Sequence, residues 1–356
     1  KLLWLTRHEP ETYRLARRLL FGAHDYIAWV ACGASVTDAT TASTTGLLDL
    51  ASGRWAVELL EALELRTDFL PEIAPAYSVV GRLRPEAAEA LGLPAGTPVV
   101  HGAGDAAATT LGAGAGEPGR TYLYLGTSGW LALTSPGDRA DPSSGIFTLR
   151  HPEPSWTLLI GPMLTAAGNL EWIRRQLGDP PYEELSALVR AAPEGSGGVF
   201  YLPYLAGERS PFRDSKARAA FVGIGPGTGR AELVRSVMEG VAFALRSIAD
   251  AMPQFSADPI GAAGGGCRAN VWCEILAAVL KCPVRRLAGA QDVGVRGAAV
   301  LAGRALGWYR SFIPSPGFFP VDRLFVPDPR MAAAYDGLYR EFRQRNPYLR
   351  RHGKEG

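Results

Sequence analysis

The chain has 356 residues, of which 47% are hydrophobic, so it is long enough for two packed domains. Its formal charge of +2 is close to balanced, and Lys and Arg form no run that would follow a nucleic-acid backbone, which argues against nucleic-acid binding. The four cysteines form no CxxC pair, no His cluster lies near them, and no apolar stretch is long enough to span a membrane. We therefore expect neither a zinc site nor a disulfide framework, no membrane span, and a reducing cytoplasmic location.

The first predicted elements are two helices, a short strand and a third helix. Apolar residues at helical spacing predict helices over residues 9–21 and 57–65. Residues 96–104 begin as a short apolar strand, pass into glycines and lead to Asp105. An Ala-rich stretch with high helix propensity follows it through Leu111.

Residues 112–119 (GAGAGEPG) combine four glycines with a proline, which makes them the best candidate for a hinge or linker. Beyond them, alternating apolar residues on both sides of the turn at 126–129 predict a β-hairpin over 121–134. The remaining predicted elements are a long amphipathic helix at 231–250, a strand at 260–263 that enters three glycines, and helices at 270–280, 295–306 and 331–345.

Strands, glycine turns and helices alternate along the whole chain, which is typical of an α/β fold with sheets covered on both faces. A strand, glycines and an Ala-rich helix follow one another near 99–111 and again near 260–280. This similarity suggests two domains of related design.

Asp105 is the first candidate for chemistry because it follows a strand and stands beside Gly102 and Gly104. Open α/β sheets bind their ligands at the carboxyl ends of their strands. A carboxylate there can accept a proton from an attacking hydroxyl or help to hold a metal ion through water. Capping of the following helix explains the same residue without any ligand.

Two glycine-rich turns are the next candidates. The turn at 126–129 (GTSG) offers hydroxyls and backbone N–H groups to an anion, although an ordinary hairpin turn would have the same sequence. Gly264–Gly266 leave a flat surface that suits a nucleotide base or ribose, with Asn270 in the next helical turn, and a turn without a ligand is the alternative. The pair Glu208 and Arg209 is better explained as a brace for its own loop than as a catalytic pair.

Taken together, these segments resemble the FGGY carbohydrate kinases, a branch of the actin-like, ribonuclease-H-like ATPases, and the best partial matches are to xylulokinase-like and gluconokinase-like patterns. The second family signature is the most specific of the matching segments. These segments are 1–5 (KLLWL), 36–38 with 46–49 and Trp55, 102–107 (GAGDAA), 126–129 (GTSG), 201–211 with 221–223, 264–270 and 297–299.

The resemblance implies two actin-like α/β domains, a sugar-binding domain at 1–118 that is incomplete at its front and a nucleotide-binding domain at 119–356, with ATP and Mg²⁺ between them. Asp105 would take the proton from the sugar hydroxyl and hold the metal through water, and Asp105 and Ala106 would contact the sugar. The residues carried over to nucleotide binding are Gly126, Thr127 and Ser128 at the phosphates, Gly265, Gly266 and Asn270 at the adenosine, and Gly168 along the nucleotide.

The chain departs from the family pattern in two places. The family begins with a strand and an Asp-x-Gly-Thr phosphate loop, which these residues lack, so we expect the front of the first domain to lie outside them and the 356 residues alone to be inactive. Ala106 stands where family members often have an amide side chain that contacts the sugar. A small-molecule sugar, a pentulose or a related one, is the expected substrate, and a homodimer is possible.

Two other classes of protein stay open. A non-catalytic actin-like protein would keep the nucleotide site without a sugar pocket. A nicotinamide-dependent oxidoreductase could be argued from Gly102 and Gly104, but Ala107 replaces the third glycine of that fingerprint and no ribose-binding acid follows at the usual distance.

Overall fold

Two units make up the computed structural model, which describes residues 1–256, 258–315 and 317–352. The first unit contains Lys1–Gly112, Leu149–Leu158 and Val293–Ser315. The second contains Ala113–Thr148, Leu159–Asp292 and the described residues after 316. This division gives 149–158 and 293–315 to the first unit, and the domain limits at 118 and 119 stay a prediction. Among the described residues, no helix combines the length and the apolarity that a bilayer crossing requires.

The first 112 residues form short helices and three strand pairs. Strands β1 and β4 pair in parallel, whereas β2 pairs with β3 and β5 with β6 in antiparallel fashion. In chain order the elements are α1 (Leu2–His8), α2 (Pro10–Leu15), α3 (Ala23–Cys32), β1 (Val36–Asp38), α4 (Ala39–Ser43), β2 (Leu48–Asp49), β3 (Arg54–Trp55), α5 (Val57–Ala62), β4 (Glu72–Ala74), β5 (Val79–Arg82), α6 (Pro85–Leu91), β6 (Pro98–Val100) and α7 (Asp105–Gly112).

The rest of the chain supplies a seven-stranded sheet in the order β15-β14-β13-β7-β8-β10-β9. Its elements are β7 (Thr121–Leu125), β8 (Gly129–Ser135), β9 (Phe147–Arg150), β10 (Thr157–Met163), α8 (Ala167–Gln176), α9 (Tyr182–Ala191), β11 (Phe200–Leu202), β12 (Ala220–Val222), α10 (Arg230–Asp250), β13 (Ile260–Ala263), α11 (Asn270–Leu280), β14 (Val284–Leu287), α12 (Val293–Ala305), β15 (Val321–Phe325), α13 (Pro329–Arg345) and α14 (Pro347–His352).

The predicted α/β fold is confirmed, and its core in the second unit surrounds the longest helix. Apolar residues of α10 and α11 pack with the strands in one continuous buried cluster, in which Val237, Val241 and Trp272 are fully buried. Helix α10 begins one residue before the predicted range of 231–250, and the predicted hairpin forms as β7 and β8. Apolar residues at every second position predict the hairpin, and apolar residues with a period of 3.6 predict α10. Both signals are clear because each pattern continues through the whole hairpin or helix.

One predicted helix is wrong. The range 9–21 contains only α2, which begins at Pro10 because proline lacks the N–H that would continue α1, and suits the first position of a new helix. The helix ends at Leu15, after which the backbone turns extended and the N–H of Leu19 donates to the carbonyl of Phe69 at 3.0 Å. A tertiary hydrogen bond thus replaces the helical one that the sequence pattern favoured.

Candidate functional site

A pocket of about 1150 Å³ in the second unit contains most of the residues predicted to bind a nucleotide. Six of the seven predicted positions line it, and Ser128 follows Thr127 in the same turn. The lining positions are Gly126, Thr127, Gly168, Gly265, Gly266 and Asn270. They come from three separate stretches of sequence, which the sheet and its flanking helices bring to one place.

The turn between β7 and β8 is fixed to the beginning of α8. The carbonyl of Thr127 accepts hydrogen bonds from the N–H groups of Ala166 at 2.8 Å and Gly168 at 3.1 Å, and the carbonyl of Gly126 accepts one from Ala167 at 2.8 Å. The hairpin turn and the N-terminus of a ten-residue helix therefore meet at the pocket. These three N–H groups are engaged by the turn, so what the beginning of α8 offers a bound anion such as phosphate is the positive end of the helix dipole.

The three glycines after β13 have different tasks. Gly264 has a φ of +106°, and a Cβ built on it would lie 2.5 Å from the carbonyl oxygen of Leu125, so only glycine fits there. At Gly265, by contrast, an added Cβ would meet no atom within 4 Å. Gly264 thus lets the segment pack on β7, and Gly265 presents a bare backbone to the pocket.

Asn270 is the first residue of α11, and its amide is oriented by Arg286, a residue that the sequence analysis did not single out. The Arg286 Nη1 donates to Asn270 Oδ1 at 2.8 Å, and Arg286 Nε is held by Asp322 Oδ2 at 2.6 Å. Because its oxygen is engaged, Asn270 is left with its NH₂ group as a donor for a ligand in the pocket.

The outer wall of the pocket is a charged network on α8 and α9. Glu171 accepts hydrogen bonds from Arg174 at 2.9 Å and 3.0 Å, from Arg175 at 3.0 Å and from the Tyr182 hydroxyl at 2.7 Å. The bonds from Arg174 and Tyr182 are the main reason that the pKa of Glu171 falls to about 2. Glu171 therefore stays ionised at any physiological pH.

Asp105 lies in the first unit, where it is the first residue of α7 and is exposed to solvent. One of its carboxylate oxygens, Oδ1, accepts the N–H of Ala106 at 2.9 Å, within the first turn of the helix that Asp105 begins. Ala106 is half-buried in the same turn. The roles of Asp105 and Ala106 toward a sugar or a metal ion stay predictions.

A buried cluster of two histidines and two aspartates lies beside the loop that carries Asp105. It consists of His24, Asp25, Asp38 and His101, whose potential ligand atoms all lie within 4.8 Å of one another. A Cβ built on Gly104 would come within 3.7 Å of His24 Cε1, which shows how closely the loop approaches this cluster. Sequence reasoning missed the cluster because its members are separated by up to 77 positions and match no metal-binding spacing.

The loop that contains Glu208 and Arg209 is braced, as the sequence suggested, but by the backbone. Glu208 Oε1 accepts the N–H groups of Arg209 at 2.8 Å and Leu164 at 2.9 Å. Burial raises the pKa of Glu208 to about 7, because desolvation disfavours the carboxylate more than these hydrogen bonds favour it.

Comparison with known families gives two matches that cover most of the chain. The N-terminal domain of the FGGY family of carbohydrate kinases matches residues 1–112, and the C-terminal domain of that family matches residues 121–306. Both fall where the sequence analysis placed the family segments.

Individual proteins of this kind are similar over nearly the whole chain. Xylulose kinase of Escherichia coli K12 is 34% identical over 347 residues, which are 97% of this chain and 71% of that protein. The crystal structure of ligand-bound xylulose kinase from Lactobacillus acidophilus superimposes with a TM-score of 0.90 at 30% identity, over 96% of this chain and 70% of the other. Gluconate kinase from Lactobacillus acidophilus gives a TM-score of 0.89 at 29% identity with the same coverage.

Proposed function

Because the chain belongs to the FGGY family of carbohydrate kinases, we propose that it transfers the γ-phosphoryl group of ATP to a hydroxyl of a pentulose. Xylulose is the best candidate, since two relatives that are 34% and 35% identical to this chain are xylulose kinases. Gluconate is the alternative sugar, because a gluconate kinase is almost as similar in structure. A homodimeric state and a cytoplasmic location stay predictions.

The observation that carries the nucleotide part of the proposal is the pocket lined by six predicted nucleotide residues. Its volume of about 1150 Å³ can hold a ligand of nucleotide size. Phosphates would lie against the N–H groups of the β7–β8 turn, where the positive end of the α8 dipole favours an anion, and the adenosine against Gly265, Gly266 and Asn270. The charged wall of α8 and α9 would border the open side.

Asp105 is proposed as the general base, because its exposed carboxylate can accept the proton of a sugar hydroxyl. An exposed carboxylate also fits the hard, oxygen-binding Mg²⁺, which Asp105 would hold through water. When bound with ATP, Mg²⁺ neutralises charge on the phosphates. The other residues of the site would align the sugar hydroxyl with the γ-phosphate, since phosphoryl transfer depends on alignment and electrostatic stabilisation.

The first prediction concerns Asp105→Asn. This change removes the proton acceptor and keeps the shape and the hydrogen bond to Ala106, so kcat should fall by roughly 10²- to 10⁴-fold with little change in ATP affinity. The measurement is sugar-dependent ADP release by the full-length gene product, with xylulose and gluconate compared as substrates.

Asp68→Asn is the matched control, because Asp68 is an exposed carboxylate of the same unit whose partner is Arg66. Near-normal turnover of Asp105→Asn would remove Asp105 from the role of base. Higher kcat/KM for gluconate than for xylulose would overturn the proposed substrate and leave the kinase reaction intact.

A further inference from the structure

Three elements of the first unit place four ligand-type side chains around one point. His24 and Asp25 lie in the first turn of α3, Asp38 ends β1, and His101 follows β6. Asp25, Asp38 and His101 are buried, and the His24 side chain is 20% exposed. Two imidazoles and two carboxylates form a mixed donor set of the kind that binds transition-metal ions, whereas carboxylates alone would suit Mg²⁺ or Ca²⁺.

These four atoms make one short contact more than their hydrogen bonds explain. His24 Nε2 lies 3.0 Å from Asp25 Oδ1 and 3.0 Å from Asp38 Oδ2, and His101 Nε2 lies 3.1 Å from the same Asp25 Oδ1. The His24 Nε2 atom carries at most one hydrogen, so it can donate well to only one of the two carboxylates. A metal ion that accepts electron pairs from all four atoms would account for the whole set of contacts.

The second oxygen of each carboxylate is already engaged, and this fixes the direction of the first. Asp25 Oδ2 accepts the N–H groups of Phe21 and Gly22 at 3.0 Å each. Asp38 Oδ1 accepts those of Thr40 at 2.9 Å and Thr41 at 3.1 Å. Such outer hydrogen bonds hold metal-binding carboxylates in place.

The charge of the cluster points the same way. In the part of the chain that the structure describes, the ion-pair partners of both carboxylates are the two histidines, and neither carboxylate pairs with Lys or Arg. Two buried carboxylates are costly without matching positive charge, which protonated histidines or a bound cation can supply. One divalent cation would balance them while the imidazoles remain neutral ligands.

We propose that His24, Asp25, Asp38 and His101 bind one divalent transition-metal ion, with Zn²⁺ the best match. Tetrahedral Zn²⁺ with bonds of about 2.0–2.2 Å places its ligand atoms roughly 3.3–3.5 Å apart. Three of the contacts here are 3.0 Å to 3.1 Å and all four atoms lie within 4.8 Å of one another, so small side-chain shifts would bring them onto one ion. Four protein ligands make this a closed, structural site, distinct from the Mg²⁺ that accompanies ATP. It would tie α3, β1 and the loop after β6 together, and His101 precedes Asp105 by four residues.

The test uses the 356-residue chain after treatment with a chelator and dialysis. Titration with Zn²⁺ should give one bound ion per chain by elemental analysis and calorimetry, and should raise the melting temperature because the ion binds the folded state. Co²⁺ in its place should produce the visible absorption of a tetrahedral complex. A chain that keeps no Zn²⁺ and shows no thermal shift would overturn the proposal, as would a site that accepts Mg²⁺ in preference to Zn²⁺.

Variants decide whether these four residues hold the ion. His101→Gln should weaken Zn²⁺ binding roughly 100-fold or more, since loss of an outer hydrogen bond alone costs about 10- to 100-fold. If circular dichroism shows that His101→Gln does not fold, Asp38→Asn takes its place. Asparagine keeps the oxygen that accepts the N–H groups of Thr40 and Thr41. His8→Gln alters an exposed histidine and is the matched control. Equal Zn²⁺ affinity in the control and in a folded site variant would contradict the assignment.

Discussion

Glu208 is a carboxylic acid whose ionisation the fold disturbs through burial. Only 3% of it is exposed, and burial raises its pKa to about 7 against a usual value of 4.5. The folded state therefore holds a proton on this side chain more tightly than the unfolded state does. By linkage, proton binding at Glu208 stabilises the fold in acid, and this contribution is complete below pH 4.5 and lost as the pH rises through about 7.

The second prediction is that Glu208→Gln removes this pH dependence. Glutamine keeps an oxygen that accepts the N–H groups of Leu164 and Arg209, and it carries no charge. Residue 208 should therefore cause no fall in the variant's free energy of unfolding between pH 5 and 8. The wild type should lose on the order of 3 kcal/mol over the interval relative to the variant, from the size of the pKa shift. Urea denaturation at several pH values measures both curves, and parallel curves would contradict the prediction.

Helices α7 and α12 of the first unit pack backbone to backbone, and α7 is the helix that begins with Asp105. A Cβ on Gly297 would lie 1.8 Å from the carbonyl oxygen of Ala108, and one on Gly112 would lie 1.6 Å from that of Val293. Glycine at both positions allows an approach that no other residue permits. The position of α7 therefore depends on the glycines of this contact.

The third prediction is that Gly297→Ala destabilises the first unit by about 1–3 kcal/mol or more, because the added methyl group forces the two backbones apart. Gly294→Ala in the same helix is the matched control, since a Cβ there meets nothing within 4 Å. Alanine at 294 should be neutral or stabilising by up to about 1 kcal/mol through helix propensity. Thermal denaturation compares the two variants, and equal effects would show that the packing is looser than the distances imply.

At the scale of the whole molecule, the proposed chemistry is divided between two units. The nucleotide pocket belongs to the second unit, and Asp105 and the His–Asp cluster belong to the first. Ligand binding can therefore be followed in each unit separately, through local protection of amides from hydrogen exchange or through a rise in the melting temperature.

The fourth prediction is that ATP with Mg²⁺ slows amide hydrogen exchange in residues 126–128 and 265–270 of the chain. Asn270→Ala should weaken ATP binding about 3- to 10-fold, the usual worth of one hydrogen bond, and reduce the protection at a fixed ATP concentration. Exchange in α13, which does not line the pocket, is the internal control. Unchanged ATP affinity in Asn270→Ala would remove the amide from the adenosine contact.

Some predictions succeeded because their signals are local. The hairpin at the 126–129 turn and helix α10 follow from alternation and helical periodicity over long stretches. The helix predicted over 9–21 ends at Leu15 instead, because the hydrogen bond from Leu19 to Phe69 overrides the apolar spacing.

By itself, the sequence determined the family, the α/β fold and the short motifs, since each glycine turn and its neighbours are contiguous in the chain. Only the tertiary structure showed that the glycine turns line one pocket, that Arg286 orients Asn270, and that His101 meets Asp25 across 76 positions. Contacts between distant residues depend on how the elements pack, and local pattern carries no information about that packing.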